Sequence, residues 1–227
     1  MGIESWGGTD TAPILERVWA EAAGLGFIGK NAMSIIPAVG SWYTLAVLFI
    51  DVDIDPDPVL ADHCGTCSRC VDACPTQAIT TEHNVDARRC ISYWTIESDD
   101  LPPEDIREAM GDRVFGCDIC QEVCPHNSGI APQPHADFAG KNQYLQLSQI
   151  LESTDEQLLA QFTGSPLRRP KAAGLKRNAL LALANHPTPD AAALASRALD
   201  HPDQAVRRAA AWAKSQIEQG NSKSKEH

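Results

Sequence analysis

The stretch Cys64–Pro75, CGTCSRCVDACP, decides the fold around it, and Cys117–Pro125, CDICQEVCP, repeats its ending. In both stretches cysteines recur at short intervals and the last one precedes a proline. A 4Fe–4S cluster requires four thiolates that converge on one small volume, and a tight turn with three cysteines plus a distant fourth provides them. With Cys90 between the two stretches, the chain has eight cysteines, enough for two clusters.

The spacing predicts how the cysteines divide between the clusters. In the bacterial ferredoxin pattern, the cysteine before each proline ligates the other cluster. One cluster is therefore predicted to take Cys64, Cys67, Cys70 and Cys124, and the other Cys74, Cys90, Cys117 and Cys120.

Two other interpretations of the cysteines are open. A disulfide framework suits an even count but needs an oxidising compartment, and residues 1–11 have no basic region or apolar run typical of a signal peptide. Two zinc sites would use CxxC pairs, but they need neither the third cysteine nor the crossed Cys-Pro. The pattern favours iron–sulfur clusters.

Composition limits the class of protein. The 227 residues are 43% hydrophobic, with a mean hydropathy of −0.24, which suits one or two globular domains. The longest apolar run, Leu45–Ile50, has the length of a strand, so we expect no membrane span. The formal net charge of −11 argues against a protein that coats nucleic acid, but it does not exclude a local basic patch.

The predicted fold class is α+β, in three parts and a tail. Residues 1–58 read as a partial α/β domain, with a helix over Pro13–Ala23 and a strand over Ser41–Val52. In that helix, Ile14, Leu15, Val18 and Ala22 share one face. Residues 59–130 form the ferredoxin-like double-cluster module. Residues 131–219 begin with a connector over 131–145 and continue as helices, and 220–227 are an expected disordered tail.

The helical part contains an internal repeat. Leu175–Ala182, LKRNALLA, aligns with Val206–Ala213, VRRAAAWA, and the turn Asn185–Pro187 resembles Asp200–Pro202. Alanine-rich helices joined by proline turns predict HEAT-like pairs, which stack and leave a face for a partner. An ordinary small helical bundle is the alternative.

Two local motifs have plain structural interpretations. The segment Gly24–Gly29 fits the dinucleotide fingerprint GxGxxG, but a helix precedes it and no strong helical pattern follows, so a helix C-cap is the better interpretation. Asp10 comes shortly before Pro13 and reads as a helix N-cap, with a catalytic acid as the alternative.

Five cations are concentrated between Pro166 and Asn178, in a stretch without acids: Arg168, Arg169, Lys171, Lys176 and Arg177. Such a patch suits contacts with nucleic-acid phosphates. A solvated helix face is the alternative.

Several motifs together resemble the epoxyqueuosine reductase family. They are Asp10–Arg17 (DTAPILER), Ala23–Asn31 (AGLGFIGKN), Val85–Tyr93 (VDARRCISY), Gly116–Pro125 (GCDICQEVCP) and Gly164–Arg169 (GSPLRR). The similarity runs from about Asp10 to about Ile217.

The resemblance implies an oxidoreductase that reduces epoxyqueuosine to queuosine in the wobble base of tRNA. Its implied cofactors are two 4Fe–4S clusters, which pass electrons on, and cobalamin. Asp10 matches the family's catalytic acid, and Asp10, Ser34, Ser92, Cys117 and Asp118 match positions near the cobalamin.

The resemblance also implies partners. The basic stretch of Arg168, Arg169, Lys171, Lys176 and Arg177 matches the part that holds the tRNA anticodon arm. A low-potential electron donor is implied, and we expect a cytoplasmic monomer without a membrane partner.

Family members carry a further stretch ahead of the segment with Asp10, which forms half of the cobalamin pocket. We therefore expect residues 1–58 to be part of a larger domain. The alternative functions are a two-cluster electron-transfer protein and a truncated RNA-binding iron–sulfur protein without turnover.

Overall fold

A computed structural model describes residues 4–10, 12–130 and 146–223, with side chains to residue 220. The described chain is helix-rich with few strands. The strands are β1 (Ser5–Gly8), β2 (Phe27–Ile28), β3 (Ser34–Ile35), β4 (Val47–Ile50), β5 (Ile79–Thr81) and β6 (Asn84–Val85). The helices are α1 (Glu16–Ala22), α2 (Arg69–Ala73), α3 (Ile91–Ile96), α4 (Glu104–Ala109), α5 (Ile119–Glu122), α6 (Leu147–Glu152), α7 (Asp155–Gln161), α8 (Lys171–Asn185), α9 (Ala191–Arg197) and α10 (Gln204–Lys223).

The contacts divide the chain into two compact units. Unit 1 comprises residues 1–86 and 118–133, and unit 2 comprises residues 87–117 and 134–227. The division runs through the predicted cluster module of residues 59–130. The predicted connector over 131–145 lies outside the described residues, as does the end of the predicted tail, whereas α10 continues to Lys223.

The strands of unit 1 form three two-stranded antiparallel sheets. Strand β1 pairs with β4, with Trp6 opposite Phe49 and their rings stacked, and β2 pairs with β3, with Phe27 opposite Ile35. The predicted strand over Ser41–Val52 is confirmed only in its second half, as β4.

Helix α1 lies inside the range predicted for it. Leu15 is its N-cap residue, so the N-cap interpretation of Asp10 is wrong. Gly24, with φ of +72°, follows the last helical turn, and it confirms the helix C-cap interpretation of the glycine motif. On the helix, Val18 and Trp19 are about half exposed, so the apolar residues of α1 cover little of a core in the described chain.

The two remaining glycines of this motif allow β2 to lie close to β3. A Cβ atom at Gly26 would lie 2.5 Å from the carbonyl oxygen of Ile35, and one at Gly29 would lie 2.6 Å from Cδ1 of the same residue. Chain packing therefore accounts for these glycines without a dinucleotide.

Unit 2 has its core around α8. Twelve of its fifteen residues are buried, because helices α6, α7, α9 and α10 all contact it. The apolar residues of α10 recur at spacings of three and four and form one buried face against α8: Val206, Ala209, Ala210, Ala213 and Ile217. No helix within the described ranges has the length and apolarity needed to cross a bilayer.

Candidate iron–sulfur site and basic surface

The four cysteines predicted for the first cluster line one cavity in unit 1. This cavity has a volume of about 100 Å³, and Cys64, Cys67, Cys70 and Cys124 all contribute to its wall. Cys64 and Cys67 lie in the turn before α2, Cys70 lies in its first turn, and Cys124 follows α5. Four thiols around a small shared space are the donor set that a 4Fe–4S cluster requires, so the residues present fit this cofactor.

Apolar and aromatic groups close the cavity on its inner side. Phe27 and Ile35, each 1% exposed, pack with Cys64 and Cys124. The imidazoles of His63 and His126 both meet the ring of Phe27 edge-on, with centroids 5.4 Å away. Strands β2 and β3 therefore provide an apolar wall of the site.

Two residues that the sequence reasoning did not assign hold the cysteine loops. The ammonium group of Lys30 donates a hydrogen bond to the carbonyl oxygen of Gly65 over 2.8 Å and lies 2.8 Å from Glu82. The amide of Asn31 donates to the carbonyl oxygen of Cys120 over 3.1 Å. Cysteine spacing cannot reveal these residues, because the contacts join segments far apart in the chain.

Two thiols of this cavity, those of Cys64 and Cys70, are harder to ionise than usual. Burial raises the pKa of Cys64, despite a hydrogen bond from the backbone N–H of Lys30, and burial also raises the pKa of Cys70. Clustered thiolates in a dry cavity need a cation to offset their charge, and the iron of a cluster provides it.

Cys74 differs from these two thiols. Burial disfavours its thiolate, but backbone hydrogen bonds, that from Ala78 over 3.2 Å among them, together with the Thr76 hydroxyl, lower its pKa. These donors stabilise a negative sulfur, which suits a ligand to iron.

The cysteines predicted for the second cluster are divided between the units. Cys74 and Cys120 belong to unit 1, and Cys90 and Cys117 belong to unit 2. Cys90 is the N-cap residue of α3. Cys117 follows Gly116, whose φ is +74°, and packs against the core of unit 2.

No group of three or more His, Cys, Asp or Glu within the described ranges is arranged to hold a single metal ion. A mononuclear zinc site needs thiolates about 2.3 Å from one centre, which is closer than a cubane-sized space requires.

The residues matched to cobalamin positions have different environments. In unit 1, Asp10 is exposed beyond β1 with φ of 47°, Ser34 is buried and accepts a hydrogen bond from Tyr43 over 2.8 Å, and Asp118 is exposed. In unit 2, Ser92 lies in α3 and Cys117 lies in the loop after α4, and both are half-buried.

The five clustered cations separate into two groups. Arg168, Arg169 and Lys171 are exposed at and before the start of α8, where Arg169 lies 3.0 Å from Glu97 and Lys171 lies 3.3 Å from Asp99. These three form the basic surface of unit 2.

Lys176 and Arg177 are instead buried, 6% and 1% exposed. Lys176 pairs with Asp155 over 2.6 Å, and Arg177 donates to backbone carbonyl groups. The structure therefore does not support phosphate contacts by these two side chains, because α8 is surrounded by other helices.

Comparisons with known proteins agree with both parts of the chain. Residues 63–127 match the family described as a 4Fe-4S double cluster binding domain, and residues 167–227 match HEAT repeats. The predictions of a double-cluster module and of HEAT-like repeats are confirmed.

Among curated proteins, the chain is 41% identical over 210 residues to the epoxyqueuosine reductase of Xanthomonas campestris pv. campestris, covering 91% of this chain and 59% of the relative. It is 41% identical over 209 residues to that of Pseudomonas aeruginosa, covering 90% and 58%. The chain thus spans about three fifths of the length of these relatives.

Solved structures give the same result. A crystal structure of epoxyqueuosine reductase with a tRNA-Tyr epoxyqueuosine-modified stem loop has a TM-score of 0.89 and 32% identity, covering 95% of this chain and 58% of the other. A Bacillus subtilis epoxyqueuosine reductase, with its catalytic aspartate loop swung out of the active site, has a TM-score of 0.87 and 32% identity, covering 95% and 57%.

Proposed function

We propose that this chain, which belongs to the epoxyqueuosine reductase family, acts in the reduction of epoxyqueuosine to queuosine in the wobble base of tRNA. The observation that carries the proposal is the cavity lined by four cysteines in a chain that also has HEAT repeats with an exposed basic surface. An electron carrier alone has no need of the second feature.

The cysteines hold the iron in this proposal. Cys64, Cys67, Cys70 and Cys124 bind the first cluster, and Cys74, Cys90, Cys117 and Cys120 bind the second. Bound clusters supply electrons one at a time at low potential. Lys30 and Asn31 orient the loops that carry the ligands, and Phe27 and Ile35 keep the first site dry.

The basic surface binds the anticodon arm of tRNA. Arg169 and Lys171 are paired with Glu97 and Asp99, but all four side chains are more than 40% exposed. Exposed pairs of this kind contribute only about 0–1 kcal/mol each, so RNA phosphates can replace the carboxylates. Arg168 adds a third exposed cation, and a relative's structure with a tRNA stem loop supports this assignment.

Asp10 donates the proton that the epoxide oxygen needs when the ring opens. The carboxyl group lies at an exposed bend beyond β1, and the catalytic loop of the Bacillus subtilis relative, which carries an aspartate, supports this assignment. General acid catalysis of this kind contributes about 10²–10⁴-fold to a rate.

The family uses cobalamin together with the clusters. We assign Asp10, Ser34, Ser92, Cys117 and Asp118 to its surroundings from the resemblance. Within unit 1, the Ser34 hydroxyl is bonded to Tyr43 and both aspartates are exposed, so these three side chains alone do not enclose a corrin.

The partners follow from this chemistry. We propose a low-potential electron donor, which the clusters require. We also propose a cytoplasmic location, because thiolate-bound clusters persist in a reducing compartment. The chain is proposed to be monomeric.

Reconstitution tests the proposal. Anaerobically reconstituted chain should bind about eight irons, which is two cubanes. It should also bind an anticodon stem loop with an affinity that falls steeply with salt. Zinc in place of iron, or RNA binding that does not respond to salt, would overturn the proposal.

Turnover is tested separately with epoxyqueuosine-containing stem loop, cobalamin and a strong reductant. Queuosine should form, and Asp10→Asn should lower its rate by about 10²-fold or more while iron and RNA binding stay unchanged. Normal iron and RNA binding without any queuosine would instead support the RNA-binding iron–sulfur protein without turnover.

A further inference from the structure

Arg177 is a charged side chain without access to solvent, and within the described residues its hydrogen bonds go to carbonyl and amide oxygens rather than to a carboxylate. It is 1% exposed, and its five hydrogen bonds within the described chain go to the carbonyl oxygens of Trp94, Ser98 and Asp100 and to the side-chain oxygen of Asn178. Burying a guanidinium is costly unless its hydrogen bonds are satisfied, so this network holds its surroundings in a defined geometry.

The acceptors of Arg177 lie in one segment of unit 2. Trp94 is in α3, and Ser98 and Asp100 follow the end of that helix. The guanidinium therefore caps carbonyl groups at the C-terminal end of α3, where a cation is favoured. The opposite end of the same helix begins at Cys90.

Asn178, the next residue, joins this helix to a second segment. Its side-chain amide donates to the carbonyl oxygens of Thr95 and Val114, both over 2.8 Å. Thr95 is in α3, and Val114 lies three residues before Cys117. Asn178 is itself fully buried, so neither bond competes with water.

The hydroxyl of Thr95 completes the connection. It donates to the carbonyl oxygen of Ile91 over 2.8 Å and accepts the N–H of Gly116 over 3.0 Å. Ile91 follows Cys90, and Gly116 precedes Cys117. Thr95 thus connects the two backbone positions next to the two cysteines of unit 2.

We propose that Arg177, Asn178 and Thr95 are positioning residues that set the placement of Cys90 and Cys117 for iron binding. The inference rests on the ligand roles proposed above for these cysteines. It gives α8, which begins with Lys171 of the basic surface, a second task, which is to fix half of an iron site.

The sharpest test is Thr95→Val in the full chain, with Thr95→Ser as the matched control. Valine keeps the shape but removes the hydroxyl that accepts from Gly116, whereas serine retains it. After anaerobic reconstitution, iron release to a chelator should resolve into one phase for each cluster. Variants in residues that orient metal ligands typically weaken binding by about 10–100-fold, so Thr95→Val should accelerate one phase roughly 10-fold, and Thr95→Ser should not.

The first cluster is the internal control, because Cys64, Cys67, Cys70 and Cys124 all lie in unit 1. Unchanged release from both clusters in Thr95→Val would overturn the inference, and so would equal acceleration of both phases, which indicates general loosening of the fold. If the valine variant fails to fold, Arg177→Lys replaces it in the test. This variant keeps the charge but loses the guanidinium fork, and it should accelerate the same single phase. Circular dichroism of the iron-free variants measures folding.

Failure of the proposed function gives a different result. If the unmodified chain binds only about four irons, the ligand assignment of the second cluster is wrong before any variant is compared.

Discussion

The ammonium group of Lys176 lies 2.6 Å from Oδ1 of Asp155, and only 6% of Lys176 is exposed. By contrast, Lys171, five positions earlier on the same helix, has an exposed side chain. The same basic stretch therefore contains a buried cation in an ion pair and an exposed cation on the surface. Variants of Lys171 and Lys176 can distinguish these two roles.

Lys171→Met should weaken stem-loop binding and lower the dependence of log affinity on log salt by about one unit, because one phosphate contact is lost. Lys176→Met should leave both quantities unchanged, since its side chain faces the core. Titrations of a labelled stem loop at several salt concentrations measure the affinity and its dependence on salt. Equal loss of affinity in the two variants would contradict the placement of Lys176.

The buried pair also predicts an asymmetry in stability. Asp155→Asn leaves the buried Lys176 ammonium without its ion-pair partner. We expect this to lower the free energy of unfolding by about 1–3 kcal/mol, a moderate cost because Asp155 is partly exposed. Lys176→Met removes the charge and should cost less. Urea unfolding at neutral pH compares the two, and a larger loss for Lys176→Met would refute the argument.

His201 predicts a pH dependence for unit 2. Burial, followed by the nearby charge of Lys176, lowers the pKa of His201 below its ordinary value of 6.5. The unfolded chain then binds more protons than the folded chain, so stability should fall as pH drops below about 6.5, with a slope of at most about 1.4 kcal/mol per pH unit.

His201→Gln should reduce this slope between pH 7.5 and 5. His186→Gln, at an exposed position after α8, is the control and should leave the slope unchanged. Thermal unfolding across that pH range gives the measurement. If the slope is the same in the His201 variant and in the unmodified chain, His201 is not the source of the pH dependence of stability.

Lys30 provides a prediction for the first cluster. Lys30→Met removes the hydrogen bond to Gly65 in the Cys64–Cys67 turn and should accelerate iron release from the first cluster by about 10-fold. Glu82→Gln, which neutralises an exposed partner but leaves the bond to Gly65, should have a smaller effect. The rate of iron release to a chelator distinguishes the two variants of the reconstituted chain. Faster release in Glu82→Gln than in Lys30→Met would show that the ion pair matters more than the contact with Gly65.

Gly26 tests the packing interpretation of the glycine motif. Gly26→Ala places a methyl group about 2.5 Å from the backbone oxygen of Ile35, which cannot move away as a flexible side chain could. We expect a lower thermal stability of the iron-free chain. Gly129→Ala is a useful comparison, because that glycine has space around it, although its positive φ also favours glycine. A neutral Gly26→Ala would remove the close contact as an explanation.

Local sequence patterns were enough to predict the features that depend on residues close together in the chain. Cysteine spacing identified the double-cluster module, and the repeated alanine-rich helices with proline turns identified the HEAT repeats, both of which the family comparisons confirm. The C-cap at Gly24 was also predictable, because a helix stop depends on a few adjacent residues.

The exposure of the cations was not predictable, and neither were the contacts made by Lys30, Asn31 and Arg177. Helix α8 is covered by helices on several sides, so its polar residues show no exposed face that a periodicity could reveal.

The sequence by itself therefore determined which residues can bind iron, because ligand chemistry depends on residue type and short spacing. Only the tertiary structure decided which cations meet solvent and which side chains hold the cysteine loops, because those roles depend on burial and on contacts between segments distant in the chain.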